Sequence, residues 1–151
     1  MKIRGFEICK GFEDVATLPT RGSKNSAGYD FYIPLYYKNF AIPANSTNYI
    51  ISGVKSYMLE DEYLQMHIRS SVGIKKGIIL SNITGIIDSD FYNNEENEGN
   101  ITIALTNLTD KRVTFHSGDR ICQGIFTKYL KADNDNTKEN RTGGIGSSGI
   151  K

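Results

Sequence analysis

The stretch Glu62-Tyr63-Leu64-Gln65-Met66-His67-Ile68-Arg69 alternates strictly. Leu64, Met66 and Ile68 take one face; Tyr63, Gln65, His67 and Arg69 take the other. A period of two belongs to a half-buried strand, because successive side chains of extended backbone point to opposite sides of the sheet. The alternation returns at 101–105, where Ile101, Ile103 and Leu105 share a face. Residues 47–52 are β-branched and aromatic, and 2–8, 112–115 and 120–128 read as further strands. Gly and Asn fall between these runs, where turns need them. One short helix is expected at 71–76, capped by Ser70 or Ser71 and ended by Gly77. Many short strands with a single helical segment predict an all-β fold, closed or sandwich-like.

A chain of 151 residues suits one domain with a real core. Residues 1–130 read as that domain. Residues 131–151 are polar, then glycine-rich, with no periodicity, and read as a mobile arm. The net charge of +1, from 18 basic and 17 acidic side chains, gives no long-range pull toward nucleic acid or a membrane. A small anionic substrate needs only local positive charge and is not excluded. No apolar stretch is long enough to span a bilayer, and Met1 to Lys10 lacks the apolar centre of a signal peptide. An intracellular, cytoplasmic protein is expected. Asn-x-Ser/Thr triplets, such as those at Asn45 and Asn140, then read as chance matches in an Asn-rich chain. Cys9 and Cys122 match no metal-ligand spacing or disulfide framework and read as buried free thiols.

Five segments could carry chemistry, and each has a plain structural reading beside the functional one. Arg21 to Asp30 holds Gly28, which permits a close backbone approach; it also reads as a hairpin turn. Arg69-Ser70-Ser71-Val72-Gly73 sets an arginine fork beside two hydroxyls, suited to a phosphate chain or to a capped surface turn. Asn82 to Tyr92 places Asp88 and Asp90 after the apolar pair Ile86-Ile87. In extended backbone both acids point to one face, where paired carboxylates can position a water or hold a metal. An acidic strand end reads the same way. The loop that follows, Asn93 to Gly99, reads as a solvated insertion. Gly118-Asp119-Arg120-Ile121-Cys122-Gln123 enters a core strand with Arg120 or Gln123 free to face a ligand. Arg141 to Gly149 joins an arginine, glycines and hydroxyls in an arm that could close over phosphates or remain a tail.

In order and spacing these segments resemble the five signature motifs of the trimeric dUTP pyrophosphatase family, across Leu18 to Gly149. The matching residues are Ala27-Gly28-Tyr29-Asp30, Arg69-Ser70-Ser71, Gly85-Ile86-Ile87-Asp88-Ser89-Asp90-Phe91, Gly118-Asp119-Arg120-Ile121-Cys122-Gln123 and Gly143-Gly144-Ile145-Gly146-Ser147-Ser148-Gly149. The resemblance is strongest to the branch from Gram-positive bacteria and their phages.

It implies a jelly-roll-like β barrel of the dUTPase, or β-clip, type and a homotrimer whose sites draw on all three subunits, with the arm crossing to a neighbour. It also implies roles. Asp88 would activate the attacking water, with Ser70 the other catalytic residue, at the bridging region of the phosphates. Asn82, with the backbone around Ile86, Ile87 and Asp88, would read the uracil. Phe91 would lie under the deoxyribose, and Ile145 would cover the base. Arg69, Ser70, Ser71, Gln123 and Arg141 would hold the triphosphate, and Asp30 would hold hydrated Mg²⁺. Three departures stand out. Phe91 replaces the usual tyrosine, with Tyr92 one position on; Ile145 replaces an aromatic; and the loop after Phe91 is long. Rival readings are a dCTP deaminase of the same superfamily, a regulatory protein-binding member of the fold, and a purely structural barrel.

Overall fold

The computed structural model describes residues 1–139, 141–146 and 149. Asn140, and Ser147 and Ser148 of the fifth segment, lie outside the described residues. The strands run in the order β1 (Gly5–Ile8), β2 (Thr20–Arg21), β3 (Tyr29–Tyr32), β4 (Asn39–Ile42), β5 (Thr47–Ile51), β6 (Val54–Tyr57) and β7 (Glu62–Ile68). The helix α1 (Ser70–Lys76) follows, then β8 (Ile78–Leu80), β9 (Gly85–Asp88), β10 (Thr102–Asn107), β11 (Val113–His116) and β12 (Arg120–Lys128). The pairings make four antiparallel sheets: β1-β6, β5-β10-β8, β11-β4 and the largest, β2-β3-β12-β7-β9. Together they form the jelly-roll-like barrel that the family resemblance implies, within the all-β class that the strand pattern predicts.

The alternation at 62–69 builds the frame. Leu64 and Met66 are buried in the core, while Tyr63, Gln65 and His67 are half-buried on the outer face. From β10, Ile103 and Leu105 reach the same core, joined by Phe31, Phe40, Ile42 and Phe115. Strand β12 carries a register shift between Arg120 and Cys122 on its β3 side. Such a bulge lets consecutive Ile121 and Cys122 both enter the core while Arg120 and Gln123 stay at the surface. Cys9 and Cys122 are buried free thiols, as expected. Burial raises both, Cys9 to about 11.

Helix α1 departs from expectation at its start. Its N-cap is Arg69, in extended conformation with no side-chain cap, so Ser70 is already helical and neither serine hydroxyl is spent on capping. The Arg69 carbonyl accepts from Val72 and Gly73 N–H instead. Gly77 ends the helix in the left-handed region at φ 66°, where a side chain would be strained. Among the described residues no helix is long and apolar enough to cross a membrane.

Candidate active site

Strand β7 divides the candidate residues into two groups. At its C-terminal end, Asp30 of β3 pairs with Gln123 of β12, which pairs with His67 of β7. Asp30 is buried and holds two guanidiniums: Arg69 Nε lies 3.0 Å from Oδ1 and Arg120 Nη1 lies 3.2 Å from Oδ2. Arg69 is thereby fixed beside Ser70 and Ser71. These residues, with Gly28 and Gln123, line a cavity of about 340 Å³. Gln123 folds over Gly28 so closely that a Cβ there would sit 2.2 Å from Gln123 Oε1. The glycine is required by this approach. The cavity presents one arginine, the hydroxyls of Ser26, Ser70 and Ser71 and an amide, with its one carboxylate, Asp30, already paired to arginines, and such a lining can hold a phosphate chain.

At the N-terminal end, Asp88 of β9 lies opposite Tyr63, and the second cavity, about 350 Å³, opens beside it. Asn82, Ile86, Ile87, Asp88, Phe91, Arg141 and Ile145 all line it. Phe91 is buried. The apolar pair divides: Ile87 packs against the core, while Ile86 is exposed at the pocket. Alternation along β9 forces this, since neighbouring side chains cannot share a face. The two acids meet differently from expectation. Ser89–Phe91 is a 3-10 turn, not extended chain. Even so, Arg141 reaches both, with Nη2 3.3 Å from Asp88 Oδ2 and Nε 3.3 Å from Asp90 Oδ1. Its guanidinium lies 5.4 Å from the Phe91 ring centre.

Tyr92 turns away from this pocket. Its hydroxyl donates to Glu7 Oε2 at 2.6 Å, and Lys55 Nζ sits 5.2 Å from its ring centre. The Glu7 carboxyl is held below its ordinary range, chiefly by that bond. Phe91, not Tyr92, is therefore the aromatic of the pocket.

The loop after Phe91 is only in part the solvated insertion that its composition suggested: Asn93, Glu95 and Glu96 are exposed, but the loop is tied down from within. Asn94 is buried; its Oδ1 accepts from Glu96 and Asn97 N–H, and its Nδ2 donates to the Phe91 carbonyl. Glu98 pairs with the buried Lys55. Glu96 Oε2 accepts the backbone N–H of Gly144, in the arm. No local signal announced Glu96, because its partner is remote in sequence. Ile83, beside Asn82, was also missed. It holds φ 64°, strained for a β-branched residue, in a turn where Thr84 N–H donates to the Asn82 carbonyl at 2.6 Å.

A protein-held metal does not fit Asp30. Both its oxygens are taken by arginines, and no group of three or more His, Cys, Asp or Glu among the described residues could hold a metal ion.

Asp88 and Arg69 do not meet within one chain: Asp88 is level with Tyr63, and Arg69 follows six positions on, just past the end of β7, roughly 20 Å away at 3.3 Å per residue.

A strand-built chain with a basic, hydroxyl-lined cavity at one end and an apolar, acid-rimmed one at the other has the parts of a nucleotide hydrolase. The chain belongs to the dUTPase family, whose sequence profile matches residues 14–149. It is 41% identical over 152 residues to the deoxyuridine 5'-triphosphate nucleotidohydrolase of Lactococcus lactis, covering 99% of each chain. The crystal structure of dUTPase from Streptococcus mutans superposes with a TM-score of 0.78 at 38% identity, covering 86% of this chain and 99% of that one. A mutant dUTPase from phage phi11 of S. aureus, a structure that reveals the coordination of a structural Mg(II) ion, shares the fold. Its TM-score is 0.69 at 16% identity, over 91% of this chain and 98% of that one.

Proposed function

We propose that this chain hydrolyses dUTP to dUMP and pyrophosphate by water attack on the α-phosphorus. Family membership and the near-full-length relative of that name support the substrate and the reaction. The observation that carries the mechanism is the rim of the second cavity, where the exposed Asp88 carboxylate borders a pocket lined by Phe91. A carboxylate so placed can take a proton from a water within hydrogen-bond reach. Asn82 and the backbone around Ile86, Ile87 and Asp88 would read the uracil edge. Phe91 would lie under the deoxyribose, and Ile145 would cover the base. From the other cavity, Arg69, Ser71 and Gln123 would hold the phosphates, and Ser70 would meet the bridging oxygen, where charge gathers as pyrophosphate leaves. Arg141 would clamp the terminal phosphate.

The separation of roughly 20 Å along β7 supports a homotrimer with shared sites, in which the Asp88 pocket of one chain meets the Arg69 cavity of another. Residues 1–130 are then the barrel and 131–151 the arm that closes a site. Magnesium would enter as part of the substrate, on the triphosphate oxygens, and Asp30 would serve to fix Arg69. A cytoplasmic setting fits the two free thiols.

Product analysis tests the reading. dUTP with magnesium should give dUMP and pyrophosphate, dTTP should be spared, and dCTP should yield no dUTP. Deamination of dCTP would move the chain to the rival activity. Light scattering at micromolar concentration should give the trimer mass, and a monomer would remove the shared site.

A further inference from the structure

Strand β6 carries a buried lysine, Lys55, that the candidate site does not use. Only 9% of its side chain is exposed. Burying an ammonium costs free energy unless partners meet it, and an apolar side chain in such a place often serves stability as well. Its partners are therefore informative. Lys55 Nζ donates to Asn93 Oδ1 at 2.7 Å and to Glu98 Oε1, and it sits over the Tyr92 ring. All three residues belong to the loop after Phe91.

Lys55 takes hold where that loop bends. Asn93 lies at φ 56° and Glu98 at φ 63°, in the left-handed region that asparagine tolerates and glutamate does not favour. The Asn93 N–H donates to the Glu98 carbonyl at 3.1 Å and closes the loop between them. Tyr92 is gripped from the same ribbon, since its hydroxyl donates to Glu7, which pairs with Lys55 across β1 and β6. The closed loop then returns to Phe91. Asn94 Nδ2 donates to the Phe91 carbonyl at 2.8 Å, and a Cβ on Gly99 would stand 2.7 Å from that same oxygen. The 3-10 turn that carries Phe91 starts without a side-chain cap at Asp88, so the loop is what fixes its far end. The Phe91 ring, in turn, lines the Asp88 pocket.

We propose that Lys55 is a positioning residue for sugar selection: by holding Asn93 and Glu98 it sets the loop, and through the loop the place of the Phe91 ring. This rests on the dUTPase reading, in which that ring lies under the deoxyribose.

Lys55→Met keeps the stem and removes the ammonium. With the ring free to shift, kcat/KM for UTP should rise about threefold to tenfold relative to dUTP, as when one charged hydrogen bond is lost. Glu98→Gln, which removes the charge from the other end of the pair, should move the ratio the same way. Lys55→Met added to Phe91→Leu should relax selection no further than Phe91→Leu alone. Glutamyl endopeptidase reports on the loop without catalysis, and cleavage after the exposed Glu95 and Glu96 should be faster in Lys55→Met than in the parent. A loosened loop with an unchanged ratio of UTP to dUTP would overturn the proposal, because Lys55 would then hold the loop and not the site. Relaxation that adds fully to that of Phe91→Leu would also overturn it. If Lys55→Met fails to fold, Glu98→Gln and Asn93→Ala carry the same comparison. The parent separates the two levels: a parent inert toward dUTP defeats the dUTPase reading, whereas an active parent whose variants keep its selectivity defeats the role of Lys55 alone.

Discussion

Arg141 Nη2 lies 3.3 Å from Asp88 Oδ2, while Nε of the same guanidinium lies 3.3 Å from Asp90 Oδ1. One cation thus ties the arm to two acids, one at the end of β9 and one inside the 3-10 turn that follows. Asp88 is the one at the end of β9 and on the cavity wall; Asp90 is not on that wall.

The two acids should therefore separate kinetically. Asp88→Asn keeps shape but cannot take a proton, so kcat should fall by roughly 10²–10⁴. Affinity for a non-hydrolysable dUTP analogue should stay near the parent value. Asp90→Asn should mainly loosen the arm and raise KM, with kcat little changed. Single-turnover rates at saturating substrate decide; an Asp88→Asn enzyme within threefold of the parent would pass the role of base to Asp90.

Gly28→Ala should damage the phosphate cavity without touching the base pocket. The added Cβ would lie 2.2 Å from Gln123 Oε1 and 3.0 Å from its Cβ, so rotating the amide alone cannot relieve the clash. KM for dUTP should rise while binding of deoxyuridine, which lacks phosphates, is unchanged. Equal weakening of both ligands would show that the substitution acts on the whole barrel.

Much of this was legible in the chain, for reasons that differ by element. Strand β7 announced itself because one face is core and the other is not, which writes a period of two into the residues. Strand β9 did not. Its Ile86 serves a pocket and its Ile87 the core, so both faces are apolar and the period is hidden. The 3-10 turn at Ser89–Phe91 left no mark that separates it from extended chain. The five segments held every candidate residue that the two cavities gather, though Asn82 and Arg141 lie outside the motifs proper. They could not show the division into two cavities, which comes from the register of β7 with β9 and β12. Asn94 was read as solvated because composition reports polarity, whereas the structure buries it under its own loop; Glu96 is exposed as read, but its bond to Gly144 is set by long-range folding.

Phe91→Leu should relax sugar selection. Phe91 is buried, so Phe91→Ala would cost about 3–5 kcal/mol of packing and blur the assay; leucine keeps most of the volume. If the ring blocks a ribose 2′-hydroxyl, kcat/KM for UTP should rise relative to dUTP. An unchanged ratio would confine Phe91 to packing.

Stability should fall on the acid side. Glu62 is buried and held by Arg4, whose Nη2 lies 2.5 Å from Oε1. The Arg4 hydrogen bonds hold its carboxyl below the ordinary range. Glu98 shifts the same way, chiefly through its bond from Lys55. A carboxyl whose folded pKa is depressed gives stability that is complete above its unfolded value, about 4.3. As pH falls the unfolded chain binds the proton first, so the stability is lost through the folded pKa. Tm should hold through neutral pH and drop below about pH 4.3. Glu62→Gln should lower Tm at pH 7, by a loss of roughly 1–3 kcal/mol for the charged bonds, and flatten the acid slope. An acid slope identical to that of the parent would exclude Glu62 as its source.

The loop after Phe91 should act as a latch for the arm. Asn94 braces the turn from within, and Glu96 projects from it to receive Gly144 N–H. The arm has little apolar surface of its own, so a charge-assisted bond and the Arg141 pairs are what hold it. Glu96→Gln keeps an acceptor but removes the charge, and KM should rise about threefold to tenfold, as for a bond worth roughly 1 kcal/mol. Gly144→Ala should do more, because its Cβ would stand 2.9 Å from Glu96 Oε2 and 3.2 Å from Asn97 Nδ2. Trypsin gives a readout free of catalysis. Arg141 is largely covered when the arm is down, so cleavage after it should be slow in the parent and faster in both variants. Combining Gly144→Ala with Glu96→Ala removes the acceptor that the new Cβ would strike, so the double variant should be no worse than Glu96→Ala alone. Fully additive losses in KM and in protection would mean that the two residues act apart, and the loop would be a bystander to the arm.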